Sequence, residues 1–177
     1  IPVAHRYAGV PEQLPRELVL EKMRAWLENP DKPKVGQNLK YDSHIFANHG
    51  VNLRGIVHDT LLQSYVFESH KPHDMDGLAM RHLGYTTIPF TDVCGKGAGQ
   101  ICFDQVELAR ATEYAGEDSD ITLRLHHAMK GHVEGNEKLN FIYRQIEWPT
   151  SVVLHKIELR RAARHPVELT RCAHHGT

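Results

Sequence analysis

The chain has 177 residues, the length of one domain, and its hydrophobic content of 41% indicates a globular protein, not a disordered one. A net charge of −1 argues against binding nucleic acid over the whole surface, but it leaves room for a local basic groove. No apolar run approaches the ~20 residues that a membrane-spanning helix needs, so we expect no membrane partner.

The first third of the chain alternates short strands with helices. The predicted strands are the end of a strand at 1–5 and short strands at 34–37 and 55–58. A helix opens at Pro15, and two more cover 41–49 and 60–67. Gly50 stops the first of those two, and Asp59 is placed to cap the second.

Helices dominate the remainder. One begins at Asp74 and ends at Gly84, and a capping box at 104–107 is predicted to open a long helical region that is bent or broken near 114–116. A last helix covers about 139–159, with a kink or break at Pro149. Between them, 86–102 is predicted to be a loop. Its glycine run lacks the terminal Gly-Lys-Ser/Thr of a phosphate-binding loop. The tally predicts an α/β domain.

Two groups of residues could carry chemistry. Tyr114 and Asp118 are four residues apart, so on a helix they share one face, where the carboxylate could hold a divalent cation and the phenol could orient water. Surface polar residues commonly show the same spacing. Asp42 lies just after a strand, a common position for a metal-binding carboxylate and equally for an N-cap aspartate.

Five segments occur together in one order: Gln37-Asn-Leu-Lys-Tyr-Asp42, Gly55-Ile-Val-His-Asp-Thr60, His73-Asp-Met-Asp-Gly-Leu78, Gly95-Lys-Gly97 and Tyr114-x-x-Glu-Asp-x-Asp120. In order and spacing they resemble the 3′–5′ proofreading exonuclease domain of bacterial family A DNA polymerases. The resemblance implies a ribonuclease H-like α/β exonuclease fold over residues 1–158. Residues 159–177 would be a divergent or frame-disturbed tail at the start of a polymerase region.

The resemblance also implies roles for individual residues. Asp118 would bind the first of two divalent metal ions, Mg²⁺ or Mn²⁺, Asp42 would support the second, and Tyr114 would align the attacking water. Four residues would line the groove for a single-stranded or frayed DNA 3′ end: Gln37, Asn38, Lys40 and Tyr41. Phe90 would pack against terminal bases, although a core aromatic is an equal alternative. The parent protein would be monomeric and located in the bacterial cytoplasm.

The sequence departs from the family in two respects, of which the divergent or frame-disturbed tail is one and the first motif is the other. The family's first motif, an Asp-x-Glu on a strand, would lie upstream of residue 1, and the chain begins with Ile, as a fragment would. We therefore expect a helix-rich domain without its first sheet strands, weak or inactive by itself and prone to aggregate. The alternative function is a catalytically inactive domain that binds single-stranded nucleic acid or acts as a scaffold.

The 14 histidines suggest a further alternative, a histidine metal site, for example at His70 and His73 or at His126 and His127. No cysteine lies at ligand spacing from either pair, and closed structural zinc sites usually include one. Solvated histidines on helix surfaces are the preferred interpretation.

Overall fold

The computed structural model describes residues 1–164, with side chains as far as Arg160. Its helices are α1 (Arg16–Leu27), α2 (Leu39–Asn48), α3 (Thr60–Glu68), α4 (Met75–Leu83), α5 (Phe90–Cys94), α6 (Leu108–Glu134), α7 (Glu137–Phe141) and α8 (Trp148–Arg164). The strands are β1 (Lys34–Gly36) and β2 (Ile56–Asp59). Within this range, no helix is both long enough and apolar enough to cross a membrane. The mixed, helix-rich α/β class predicted from the sequence is confirmed.

The two strands form a parallel pair in which Val35 is paired with His58 and Gly36 with Asp59. Parallel strands need a long crossover connection, and α2 provides it. The carboxyl end of β1 therefore delivers the chain into α2, while that of β2 delivers it into α3. This arrangement brings the first turns of two helices to one edge of the sheet.

The predicted strand end at 1–5 is wrong. Residues 1–14, here called the N-terminal arm, contain neither strand nor helix. The arm instead lies against the start of α6, where the Arg6 amide donates to the Asp104 carbonyl at 2.6 Å and a His5 ring nitrogen lies 3.0 Å from the Val106 carbonyl. These bonds go to the 3₁₀ turn that contains Asp104 and to the residue after it, so they hold the arm in place without a strand ladder.

The core is organised along α6, which packs against α3 and α4. Its main cluster is fully buried and consists of Leu78, Ala79, Ile121, Leu125 and Met129. A second cluster surrounds the start of α6 and contains Val93, Cys94, Val106 and Ala111. Of the bend or break predicted near 114–116, the break is wrong, because α6 is continuous and each end is fixed in its own cluster. The bend stays a prediction. Gly116 is exposed, so its missing side chain leaves no gap in the packing.

Some of the predicted helix ends agree with the structure and others do not. The Asp59 cap is confirmed by its carboxylate accepting the Leu61 amide, and Asp74 and Gly84 bound α4 as predicted. The predicted capping box is wrong, because Asp104 lies in a separate 3₁₀ turn and Glu107 caps α6 with its own carboxylate. The predicted loop at 86–102 contains α5.

Just before Pro149, where a kink or break is predicted, the chain forms a π-helical turn over Ile142–Glu147, and α8 begins directly after it. A proline ring clashes with the carbonyl four residues earlier, and a widened turn relieves that clash. Beyond this turn, α8 continues across the predicted domain boundary at residue 158. The predicted tail lies outside the described residues from 165 onward.

Two glycines with nearly equal φ angles test how closely the segment between α1 and β1 approaches the residue before β2. Gly55 (φ +74°) precedes β2, and a Cβ there would lie 2.4 Å from the Lys32 carbonyl oxygen. Gly50 (φ +69°) has no atom within 4 Å of the corresponding position. We expect Gly50→Ala to lower the free energy of unfolding by about 1 kcal/mol, the strain of a left-handed alanine. Gly55→Ala should lose about 2 kcal/mol more, because backbone must move. If the two variants unfold at the same urea concentration, the close approach of Gly55 to the Lys32 carbonyl would be contradicted.

Candidate active site

The site is built on the carboxylate of Asp59, which lies where β2 ends. One oxygen accepts the amides of Asn38 (3.0 Å) and Leu61 (2.9 Å), and the other accepts that of Leu39 (2.7 Å). Asn38 adopts the left-handed conformation, with φ 59°. Asp59 thus fixes the beginnings of α2 and α3 together. Burial raises the pKa of Asp59, and the backbone amides that bind its charged form oppose that rise.

Asp42 lies in the first turn of α2 and is half-buried. The N-cap residue of α2 is Asn38, so the interpretation of Asp42 as a helix cap is wrong. Burial raises the pKa of Asp42; the backbone hydrogen bond opposes the rise, and the nearby charge of Asp59 adds to it. A carboxylate in such surroundings is available for a cation.

Tyr114 and Asp118 lie side by side on one face of α6, and both are half-buried. Burial raises the pKa of Asp118 to about 6, with further contributions from the negative charges of Glu117 and Asp76. Burial, followed by the charge of Asp118, raises the pKa of Tyr114 to about 12. The pair is therefore not a solvated surface pair. It joins a neutral phenol to a carboxylate whose charged form is destabilised.

Phe90 lies at the start of α5 with its ring edge-on to Tyr114, 6.1 Å between centroids. It also lies 6.5 Å from the ring of Phe103, yet 38% of its surface stays exposed. One part of the ring is thus packed against the protein while the rest is open to a ligand. Both interpretations of Phe90, as a core aromatic and as a surface for bases, fit this position.

The four predicted groove residues differ in how free their side chains are. Asn38 and Tyr41 are exposed, the latter by 45%. The Gln37 amide donates to the His73 carbonyl at 3.1 Å and accepts from the Thr60 hydroxyl. Lys40 forms an ion pair with Glu158 at 2.6 Å. Gln37 and Lys40 therefore already hold separate elements together, and their roles toward DNA stay predictions.

The predicted site residues fall into two described groups. Asp42 lies near Asp59, and Tyr114 lies with Asp118. Their carboxylate oxygens are the donors that Mg²⁺ prefers. However, the part of the chain with described residues contains no group of three or more His, Cys, Asp or Glu side chains that could hold a metal ion. The donor chemistry fits a divalent cation, whereas these donors alone do not complete a site.

Sequence reasoning did not identify Glu117 or Glu158 as functional. Glu117 directly precedes Asp118 inside the matched segment 114–120, so its position was a usable signal. Glu158 binds both Lys40 and His44 of α2, the latter at 2.6 Å. Nothing local marks Glu158, because 118 residues separate it from Lys40.

Comparisons with known proteins agree on one family. The 3′–5′ exonuclease family model matches residues 3–134. DNA polymerase I of Pseudomonas aeruginosa is 48% identical over 161 residues, which are 89% of this chain and 18% of that protein. DNA polymerase I of Rhizobium leguminosarum is 40% identical over 149 residues, 84% of this chain and 14% of that protein.

A solved structure shares the fold. It is described as the POL domain of Pol1 from M. smegmatis in complex with DNA primer-template and dNTP. The TM-score is 0.61 at 21% identity, over 84% of this chain and 23% of that one. The chain therefore spans less than a quarter of that structure and less than a fifth of the two curated relatives named above.

The raised pKa of Asp118 predicts a stability effect. Its pKa of about 6 exceeds the usual 3.8, so the charged form costs stability above pH 6, and this cost disappears as the pH falls from about 6 to about 4. Asp118→Asn should therefore stabilise the chain at pH 8. Because the group is half-exposed, we expect a gain of about 1 kcal/mol, or about 2–4 °C in Tm.

Thermal melts in EDTA at pH 8 and pH 4.5 would measure this effect, and the gain should shrink at the lower pH. Asp120→Asn is the matched control on the same helix, since Asp120 is exposed and forms an ion pair with Arg124 at 3.4 Å. We expect the control to change stability by less than about 0.5 kcal/mol. Destabilisation by Asp118→Asn at pH 8 would contradict the assignment.

Proposed function

This chain belongs to the 3′–5′ exonuclease family, and from that premise we propose that it is the proofreading exonuclease region of a bacterial, cytoplasmic DNA polymerase I. It would hydrolyse mispaired nucleotides from DNA 3′ ends. The observation that carries the proposal is the half-buried pair of Tyr114 and Asp118 beside the exposed part of Phe90. A water-orienting phenol, a carboxylate and a stacking surface are what removal of a terminal nucleotide needs.

Asp118 and Asp42 are the residues that would hold divalent cations, Mg²⁺ or Mn²⁺. When bound, two such ions supply Lewis-acid stabilisation of the attacking and leaving oxygens. The half-buried setting of both carboxylates supports this assignment, because a cation offsets the unfavourable burial of their charge. Further ligands would come from outside the described residues.

Tyr114 would position the attacking water without removing its proton. With a pKa of about 12, its hydroxyl stays protonated at neutral pH. A protonated phenol can donate one hydrogen bond to the Asp118 carboxylate and accept another from water. Packing against Phe90 and Phe103 limits the movement of the ring, so the hydroxyl would hold the water in a fixed direction.

The substrate would be a single-stranded or frayed 3′ end. A base can stack on the exposed part of Phe90 whatever its identity, because every base has a π-face. Asn38 and Tyr41 would contact the strand from the first turn of α2, which Asp59 holds in place. Such a surface favours ends whose bases are already unpaired, which is the physical basis of proofreading.

We also propose a ribonuclease H-like arrangement with a domain boundary at residue 158. The parallel pair with its helical crossover and the TM-score of 0.61 support the fold. The ion pairs from Glu158 to Lys40 and His44 support placing residues up to 158 in this domain, since they attach α8 to α2. The remaining residues would lead toward a polymerase region.

A catalytically inactive domain that binds single-stranded DNA is the second candidate function. One observation favours it: the described residues do not by themselves complete a metal site. The two candidates differ in Mg²⁺-dependent release of nucleotides and agree in DNA binding. A single assay on matched variants separates them.

The assay uses a chimaera in which this chain replaces the matching segment of the Pseudomonas aeruginosa polymerase, compared with the isolated chain. We expect the chimaera to release nucleotides from a 3′-mispaired primer with Mg²⁺ and the isolated chain to be weak. In the chimaera, Asp118→Asn and Asp42→Asn should each reduce the rate at least about 100-fold, through lost charge stabilisation. Tyr114→Phe should slow cleavage about tenfold or more while leaving the Kd for DNA within about twofold.

Asp120→Asn serves again as the control and should cleave at the normal rate. A chimaera that binds the primer but releases no nucleotide with Mg²⁺ would favour the inactive binding domain. Near-normal turnover of Asp118→Asn would refute the metal assignment even if the chimaera is active.

A further inference from the structure

Residues 85–89, here called the strap, connect α4 to α5 and are attached to α6 through Glu117. One Glu117 oxygen accepts the Tyr85 hydroxyl at 2.9 Å, and the other accepts the Ile88 amide at 2.6 Å. A second anchor holds the middle of the strap, where the Thr87 hydroxyl donates to the Asp76 carboxylate at 2.7 Å. A segment without helix or strand is thus fixed by three side-chain hydrogen bonds.

The strap ends at the aromatic residue that faces the candidate site. Pro89 is the residue at the N-cap position of α5, and Phe90 is the first residue of that helix. Ile88 packs against the same cluster as Tyr114, and the Phe90 ring lies edge-on to Tyr114. The position of the Phe90 ring relative to Tyr114 therefore depends on where the strap is held.

The negative charge of Glu117 is unfavourable beside Asp118 unless its hydrogen bonds to the strap compensate for it. It directly precedes Asp118 on α6, and like charges at that distance repel. Both of its oxygens are engaged with strap donors, which directs the carboxylate away from the role of a cation ligand. The hydrogen bonds to the strap offset the repulsion, because bonds to a charged acceptor are among the stronger ones.

We propose that Glu117 is a positioning residue. Through the strap it fixes Phe90 beside Tyr114 and thereby sets how tightly an unpaired 3′-terminal base is held. The inference rests on the proposed exonuclease function for its DNA component. Its structural component, the attachment of the strap, can be tested without DNA.

The variants separate hydrogen bonding from charge. Glu117→Ala removes both acceptors. Glu117→Gln keeps an oxygen for the Ile88 amide and offers its NH₂ group to the Tyr85 oxygen, so it should rescue most of the loss. Tyr85→Phe removes one bond only and remains informative if Glu117→Ala folds poorly. Glu113→Ala is the control, since Glu113 lies on the same helix, its side chain is 62% exposed and it forms an ion pair with Arg110.

The first measurement is hydrogen exchange of the Ile88 amide in the full 177-residue chain. Glu117→Ala should speed exchange at least about tenfold, while Glu117→Gln and Glu113→Ala should stay within about threefold of the original chain. Unchanged exchange in Glu117→Ala would overturn the attachment of the strap and with it the inference, whatever the chain does with DNA.

The second measurement is binding of a single-stranded oligonucleotide with 2-aminopurine at its 3′ end, whose fluorescence reports stacking. Phe90→Ala should weaken binding about tenfold, the effect of one lost stacking contact. Glu117→Ala should weaken oligonucleotide binding about three- to tenfold. It should also raise the 2-aminopurine fluorescence of the complex toward that of an unstacked base. In the Phe90→Ala background, Glu117→Ala should have no further effect, whereas a general loss of structure would make the two losses additive.

The outcomes distinguish this inference from the proposed function. If the original chain does not bind the oligonucleotide, the proposed function fails and the DNA component fails with it, while the exchange data still report on the strap. If the chain binds normally and Glu117→Ala leaves both binding and fluorescence unchanged, the positioning role is overturned and the proposed function stands.

Discussion

The carboxylate of Asp59 lies at the point where β2 ends and two helices begin, and the residue as a whole is only 4% exposed. A buried charge of this kind is tolerated only when hydrogen bonds replace its water, and here the backbone amides of Asn38, Leu39 and Leu61 do so. Because those amides belong to the first residues of α2 and α3, the same bonds set the direction of both helices. The orientation of Asp42 follows from them.

Local chemistry explains which parts of the fold the sequence could predict. The caps at Asp59 and Asp74 and the stop at Gly84 depend on one residue and its immediate neighbours, and all three are confirmed. The break allowed for near 114–116 was wrong, because Gly116 lowers helix propensity only locally, whereas packing at both ends of α6 keeps the helix continuous. Propensity was overridden by burial that a single sequence does not display.

The candidate site likewise has residues that the sequence predicts and contacts that it does not. Helical spacing alone placed Tyr114 and Asp118 on one face, and the segment order connected them with Asp42. The contacts that hold these residues in position could not be predicted. Glu117 reaches Ile88 across 29 residues, and Glu158 reaches Lys40 across 118. No local pattern encodes such pairs, because each depends on how distant elements approach one another in the folded chain.

The N-terminal arm has a consequence for the order of folding. Its bonds from His5 to the Val106 carbonyl and from the Leu108 amide to the Tyr7 hydroxyl each close a loop of 101 residues. Contacts this remote carry a large closure entropy and form after the local ones. Because the arm also has no helix or strand of its own, we expect it to open locally at a lower free energy than the core around α6. Each such opening uncovers the first turn of α6 and gives a protease access to the arm while the rest of the domain stays folded.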